Sequence, residues 1–281
     1  MERTYKLSRN TVKLVWESAH TSRTQGQKAV IQLTNGNIFS SKVSEYTAGR
    51  PSYARQAIEN IFTHMPAENA VGADIGSGTG IFSAEFIKRG YPVYCVEPDI
   101  FMAKAAAEKF GSSNLFFPVR ACAENTGLPD GSISLITAAS SFHWFDPYAF
   151  RAECIRILRP GGRVFLITNV RLYDSFTQAQ HVLCSRYCPK FVSLTHGMET
   201  ALEKAPSFFR GGFTVEKYDF PISYTKDSFV LRSLSSSYAP ERGAKEHAKY
   251  VKALFSLLEE TFPGSHSITV RNETAVFTGY L

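Results

Sequence analysis

The residues best suited by type and spacing to do chemistry are Ala73-Asp74-Ile75-Gly76-Ser77-Gly78-Thr79-Gly80 and, 21 residues beyond Gly76, Glu97. Alternating glycines after an apolar run let the backbone approach a ligand where any Cβ would collide. The residues that follow, Ile81 to Arg89, read as a helix, whose N-terminal N–H groups and dipole suit an anionic group. Glu97 closes the next apolar run, where a carboxylate can accept both hydroxyl protons of a ribose. Together these features describe a nucleoside-cofactor site at the head of a parallel sheet. A dinucleotide is the rival ligand, but its G-x-G-x-x-G spacing needs a small residue at the position of Ile81.

A second constellation lies at His143-Trp144, just beyond the apolar run Ile133 to Ala138, at the edge where open α/β sheets bind ligands. The ordinary pKa of histidine is near neutrality, so His143 could deprotonate an acceptor hydroxyl or amine. Trp144 could stack on a planar acceptor or exclude water. Packing against neighbouring elements competes with function for both. Tyr238 and Ser235-Ser236-Ser237 precede a cap helix in this reading, where they either bond substrate or cap the helix.

These residues need a scaffold, and the pattern from about residue 70 to 170 supplies one. Short apolar runs at Ala70 to Asp74, Pro92 to Glu97, Leu115 to Val119, Ile133 to Ala138 and Arg163 to Thr168 alternate with stretches of helical period. The runs lack polar alternation, as strands covered on both faces do. Asp99 reads as the cap of a helix through Phe110, and Asp146-Pro147 as the cap and first residue of a helix ending near Leu158. Arg159-Pro160-Gly161-Gly162 stops that helix and turns into the fifth strand.

Upstream, Tyr53 to Met65 is amphipathic and is expected to pack on the sheet. Residues 1–38 form a weakly periodic extension or part of a lid, ahead of one domain over 39–281 with a cofactor-binding core at 66–170. Cap insertions are expected at about 171–211 and 223–265, with Ala244, Ala248, Val251, Leu254, Phe255 and Leu258 as one helical stripe. The last two strands are expected at 213–222 and 267–281, with a turn near Asn272-Glu273.

The net charge of +6 is diffuse, with no basic run longer than two, which argues against a nucleic-acid partner. No run of 18 apolar residues occurs and the first 27 residues are polar, so neither a membrane span nor a signal peptide is expected and the chain reads as cytoplasmic. Five cysteines without a CxxC spacing favour free thiols over disulfides or zinc. Cys184 and Cys188, though i and i+4, lack accompanying ligands, so no metal is expected.

Asp74 to Gly80, Val96-Glu97-Pro98-Asp99 and Ala138 to Phe145 resemble the class I S-adenosylmethionine-dependent methyltransferases. His143 to Asp146, Tyr46-x-x-x-Arg50-Pro51-x-Tyr53 and Ser235 to Tyr238 resemble the branch of small-molecule enzymes related to trans-aconitate methyltransferase. The resemblance spans about residues 39 to 281 and is densest over 70–168.

It implies an α/β fold with a Rossmann-like, seven-stranded, mostly parallel sheet, helices on both faces and helical cap insertions. Carried residue by residue, it places Gly76 and Gly78, with Ser77 and Thr79, at the methionyl part of S-adenosylmethionine, and Asp74 at its amino group. Glu97 would take the ribose, and Pro98, Asp99 and Met102 would border the adenine with Ala123 and Glu124. Ala138 and Ala139 would offer backbone, while Tyr46 and Arg50 would fold over the cofactor, Arg50 pairing with its carboxylate.

The implied reaction is methyl transfer to a small molecule, with O-methylation of an organic-acid carboxylate foremost. N-, O- or C-methylation of a larger natural product is the alternative. A non-catalytic cofactor-binding protein and a nicotinamide oxidoreductase are the readings from other classes. Monomer and homodimer both remain open.

Overall fold

A computed structural model of the chain describes residues 50–281. The extension at 1–38 and Tyr46 lie outside the described residues. A seven-stranded sheet organises the molecule, in the order β3-β2-β1-β4-β5-β9-β6. Its first five strands are β1 (Gly72–Ile75), β2 (Val93–Val96), β3 (Phe116–Val119), β4 (Ile133–Ala139) and β5 (Leu158–Arg171), all parallel. They are joined by crossover segments, which include α2 (Ser83–Lys88), α3 (Ile100–Phe110) and α4 (Pro147–Ile157). β6 (Phe213–Asp219) and β9 (Asn272–Gly279) complete the sheet, β9 running antiparallel to both neighbours.

The local signals act as their chemistry requires. Asp99 accepts the N–H groups of Phe101 and Met102, and Asp146 those of Tyr148 and Ala149, with Pro147 opening α4. Gly161, at φ +78°, makes the turn within the long β5 segment. Two apolar layers cover the sheet. One packs Phe142, Phe150, Cys154, Ile157 and Phe208 against Ile136, Leu166 and Phe277. The other packs Ile58, Ile61, Phe82 and Phe86 against Val93, Leu135 and Val276.

The first helix, α1 (Arg55–Phe62), lies on this second layer as its periodicity predicts. Polar contacts tie its entrance to the sheet. The Ala54 N–H donates to Thr274 Oγ1, which donates to Asn169 Oδ1, while Asn169 Nδ2 donates to the Ser52 carbonyl. This anchors the backbone immediately after Arg50.

The caps differ from the sequence expectation in three ways. First, the segment 171–211 is divided between two bodies. The helix α5 (Ser175–Tyr187) belongs to the cap, whereas α6 (His196–Phe208) buries Met198, Ala201, Ala205 and Phe208 in the main core.

Second, both C-terminal strands split. Ile222–Thr225 and Ser267–Val270 form a separate two-stranded ribbon, β7 and β8, outside the main sheet. Pro221 offers no N–H for a ladder, which places the break between β6 and β7 there. Asn272 and Glu273 pair with Arg171 and Val170 inside β9 instead of forming a turn.

Third, a helix α7 (Lys226–Leu234) precedes Ser235, so the serines follow a helix and Ser235 is its C-cap. The last helix, α8 (His247–Thr261), buries Tyr250, Leu254 and Leu258, while Ala244 and Ala248 are exposed. Ala244 falls before the helix begins, which shifts the stripe by part of a turn.

Candidate functional site

The carboxyl ends of the parallel strands open into a cavity of about 470 Å³. The tight loop after β1 forms its floor. Gly76 has φ +66°, and a Cβ there would stand 2.5 Å from Ser141 Cβ, so only glycine fits. The amides of Gly76 and Ser77 both donate to the Val96 carbonyl, at 2.8 and 3.1 Å. The amide of Gly78 donates to Glu97 Oε2 at 2.8 Å, and that of Gly80 to the Ser77 carbonyl at 2.9 Å. These loop amides are therefore used within the fold, and α2, expected from Ile81, begins at Ser83.

Glu97 stands at the end of β2 with its other oxygen accepting from the Asp99 N–H at 2.9 Å. Burial pushes its pKa up to about 7, partly held back by the Asp99 and Gly78 amides. Each carboxylate oxygen retains an acceptor position for a further donor. Pro98, Asp99, Met102, Ala123 and Glu124 join it on one wall. Met102 is also a core residue, and Glu124 accepts the Asp146 N–H at 3.0 Å, tying the β3–β4 loop to the start of α4.

Asp74, which the resemblance places at the cofactor's amino group, has partners within the fold. It is buried away from the cavity lining, where its oxygens accept from Ser83 Oγ at 2.7 Å and Thr137 Oγ1 at 2.9 Å. Burial raises its pKa to about 6 against these bonds. Asp74 thus ties β1 to α2 and β4. Ser77, Thr79, Ala138 and Ala139 also lie outside the lining, Ala138 within the apolar core.

The opposite wall comes from the segment after β4. Ser140, at φ +55°, accepts a hydrogen bond from the Tyr53 hydroxyl, and Ser141 donates to the Ile75 carbonyl at 2.7 Å. A single 3₁₀ turn, Phe142–Trp144, then sits on a cluster of Phe145, Phe150 and Phe208. Lys204 of α6 donates to the carbonyls of His143 and Phe145, at 2.9 and 2.7 Å, fixing the turn.

His143 and Trp144 both face the cavity. Burial and the neighbouring His196, Arg50 and Lys204 lower the His143 pKa to about 4, so its imidazole is neutral at neutral pH. Trp144 is 39 % exposed, which excludes a core-packing role. The cap closes the space with Ser236, Ser237, Tyr238 and Arg232, and Arg50 enters from the chain before α1.

Sequence reasoning missed Cys122, Thr168, Asn169, Ser193, Leu194, His196, Gly197 and Arg232 on this lining. They come from loops, helix ends and, for Thr168 and Asn169, the carboxyl end of β5, with no motif of their own. The cap aromatics carry a different lesson. Phe176 and Tyr224 pack in the cap's own apolar cluster and Phe208 and Phe209 in the main core, so their abundance reports packing.

Residues 73–166 match the family described as methyltransferase domain. Over these residues the chain is similar to methyltransferase domains. An uncharacterized methyltransferase of Mycobacterium bovis is 34% identical over 133 residues, 47% of this chain and 52% of its own length. One of Schizosaccharomyces pombe is 26% identical over 208 residues, 73% of this chain and 79% of the relative. The chain thus spans about half the length of the mycobacterial relative it matches.

Solved structures agree in fold. A candidate type II methyltransferase of Anaeromyxobacter dehalogenans superposes with a TM-score of 0.61 at 23% identity, covering 82% of this chain and 97% of that one. A phosphoethanolamine N-methyltransferase of Haemonchus contortus, solved with phosphomonomethylethanolamine and S-adenosylhomocysteine, gives 0.51 at 15% identity, over 89% of this chain and 59% of that one.

The cavity has a set of groups that fits an S-adenosyl cofactor. Glu97 presents a buried carboxylate with acceptor capacity beside the glycine loop, on the wall of the cavity. Among those residues no group of three His, Cys, Asp or Glu is placed to hold a metal, and no helix is long and apolar enough to cross a membrane. The five cysteines are free thiols.

Proposed function

We propose that the protein transfers a methyl group from S-adenosylmethionine to a small-molecule acceptor, at a carboxylate oxygen. The observation that carries this reading is a single cavity shared by two sets of residues: Gly78, Glu97, Met102 and Glu124 on one wall, His143, Trp144, Ser237 and Tyr238 on the other. Its volume of about 470 Å³ lies within the ~300–1,000 Å³ of small-molecule sites. The diffuse positive charge supports a small acceptor over a nucleic acid.

Glu97 would accept from the ribose hydroxyls, Met102 and Glu124 would border the adenine, and Arg50 would lie over the cofactor's anionic end. When bound, the cofactor would supply an electrophilic methyl group, which an acceptor oxygen would take from sulfur with the C–S electron pair left on sulfur. Orientation is then the protein's main task, worth roughly 7–11 kcal/mol in well-aligned systems. A carboxylate acceptor is already ionised and needs no general base. His143 suits that role, because a neutral imidazole with a pKa near 4 is a weak base that can still hold an acceptor by hydrogen bonding. Trp144 offers a face to the acceptor and limits water.

A screen with isotopically labelled methyl donor over carboxylates, phenols and amines tests both parts. Base-labile methylated product from a carboxylic acid is the expected result. A base-stable product would overturn ester formation, and cofactor binding without turnover on any acceptor would overturn the enzymatic reading.

A further inference from the structure

Against the main cavity, on the inner side of His143, lies a small pocket of about 10 Å³, with Ser140, Ser141, His143, Thr168 and Gly197 lining both spaces. Three elements meet there: the 3₁₀ turn after β4, the carboxyl end of β5 and the first turn of α6. Leu166, Ala201 and Phe277 make the rest of its wall apolar. A Cβ on Gly197 would stand 3.8 Å from His143 Nδ1 and 3.6 Å from Thr168 Oγ1, so the ring nitrogen and the hydroxyl flank one point.

The other hydroxyls of this wall are turned elsewhere. Ser141 Oγ donates to the Ile75 carbonyl, and Ser140 Oγ accepts from the Tyr53 hydroxyl. The bonds from Lys204 hold the main chain of the turn and do not reach the imidazole. Thr168, a buried residue of β5, is thus the side chain whose hydroxyl lies opposite Nδ1.

His143 is neutral at neutral pH, so one ring nitrogen donates and the other accepts. The bond made by Nδ1 decides which. A volume of about 10 Å³ is at the scale that one water needs, provided that at least two polar groups receive it. Nδ1 and Thr168 Oγ1 supply two. A water donating to Nδ1 keeps the proton on Nε2, which then has a hydrogen to offer an acceptor oxygen.

We propose that Thr168 is a positioning residue for His143: its hydroxyl donates to one water in the small pocket, that water donates to Nδ1, and the imidazole presents Nε2–H to the acceptor. This rests on the proposed methyl transfer and identifies what makes a weakly basic ring a fixed hydrogen-bond donor.

Nitrogen NMR of the full chain labelled at histidine, read near neutral pH with and without S-adenosylhomocysteine, tests it. In the wild type the proton should sit on Nε2, and the Nδ1 resonance should lie upfield of an unbonded ring nitrogen, the signature of an accepted hydrogen bond. Thr168→Val, which replaces the hydroxyl with a methyl group, should move Nδ1 downfield toward the unbonded position, and Thr168→Ser should keep the wild-type resonance. Gly197→Ala puts a methyl group into the pocket at ordinary contact distances. It should move Nδ1 in the same direction without lowering the thermal midpoint, and it judges the bridge alone if Thr168→Val does not fold. On an identified acceptor, Thr168→Val should lower kcat severalfold, as loss of one hydrogen bond would, with little change in KM for S-adenosylmethionine.

A proton on Nδ1 in the wild type, or an Nδ1 resonance that stays in place in either folded variant, would overturn the bridge. Absence of turnover on every acceptor would instead overturn the methyl-transfer reading, and the ring-nitrogen resonances would still judge the contact between Thr168 and His143.

Discussion

Glu97 Oε2 accepts the N–H of Gly78 at 2.8 Å, so the acid at the end of the second strand and the glycine loop after the first are joined. The loop's shape and the position of the acid are consequently set together. A ligand that bonds Glu97 meets a carboxylate already oriented by two backbone amides.

The pKa of Glu97, near 7 in the ligand-free protein, makes cofactor binding pH-dependent. Ribose hydroxyls donating to the carboxylate favour its ionised form, which predominates at pH 8 and is the minority at pH 6. Affinity for S-adenosylhomocysteine should therefore fall about tenfold from pH 8 to pH 6, with proton release on binding near neutrality. Titration in buffers of different ionisation enthalpy measures both. A pH-independent affinity would count against Glu97 as the ribose ligand.

Gly76→Ala places a Cβ 2.5 Å from Ser141 Cβ at a backbone with φ +66°. The conformational term alone costs about 1–2 kcal/mol, and the clash adds to it. Thermal unfolding should show a lower midpoint, and binding of S-adenosylhomocysteine should weaken along with it.

Asp74→Ala leaves the Ser83 and Thr137 hydroxyls without their acceptor. A loss of roughly 1–3 kcal/mol of folding stability is expected from the unsatisfied groups. Denaturant unfolding measures it, and cofactor affinity of the remaining folded protein should change little. A large selective loss of affinity would restore Asp74 as a cofactor contact.

His143 should remain neutral from pH 5.5 to 8, because its pKa is depressed to about 4. NMR titration of the imidazole should show no midpoint in that range. The sign of the linked stability follows: the unfolded chain binds the proton more readily, so the His143 contribution is present above about 6.5 and is lost as pH falls toward 4. A midpoint near 6.5 would indicate an accessible, conventional base.

Lys204→Met removes the donor to two carbonyls of the 3₁₀ turn while keeping the apolar stem. Turnover on an identified acceptor should fall severalfold as His143 and Trp144 lose their fixed orientation. Affinity for S-adenosylhomocysteine should stay within about twofold, since Glu97 and the glycine loop are supported from β2.

The glycine loop, Glu97, the caps at Asp99 and Asp146 and the positions of the parallel strands were legible along the chain because each rests on short-range chemistry. A turn that needs positive φ, an N-cap carboxylate and an apolar run covered on both faces leave their mark within a few residues. The partners of those groups are another matter. Whether the Gly76 amide meets a ligand or the Val96 carbonyl, and whether Asp74 faces the cavity or Ser83 and Thr137, depends on how strands pack side by side. Likewise α6 and α5 have similar local patterns, yet one buries its face in the main core and the other in the cap. The meeting of Arg171 with Arg232 on one chamber was equally invisible in sequence, for it joins the end of β5 and α7, which are distant in the chain.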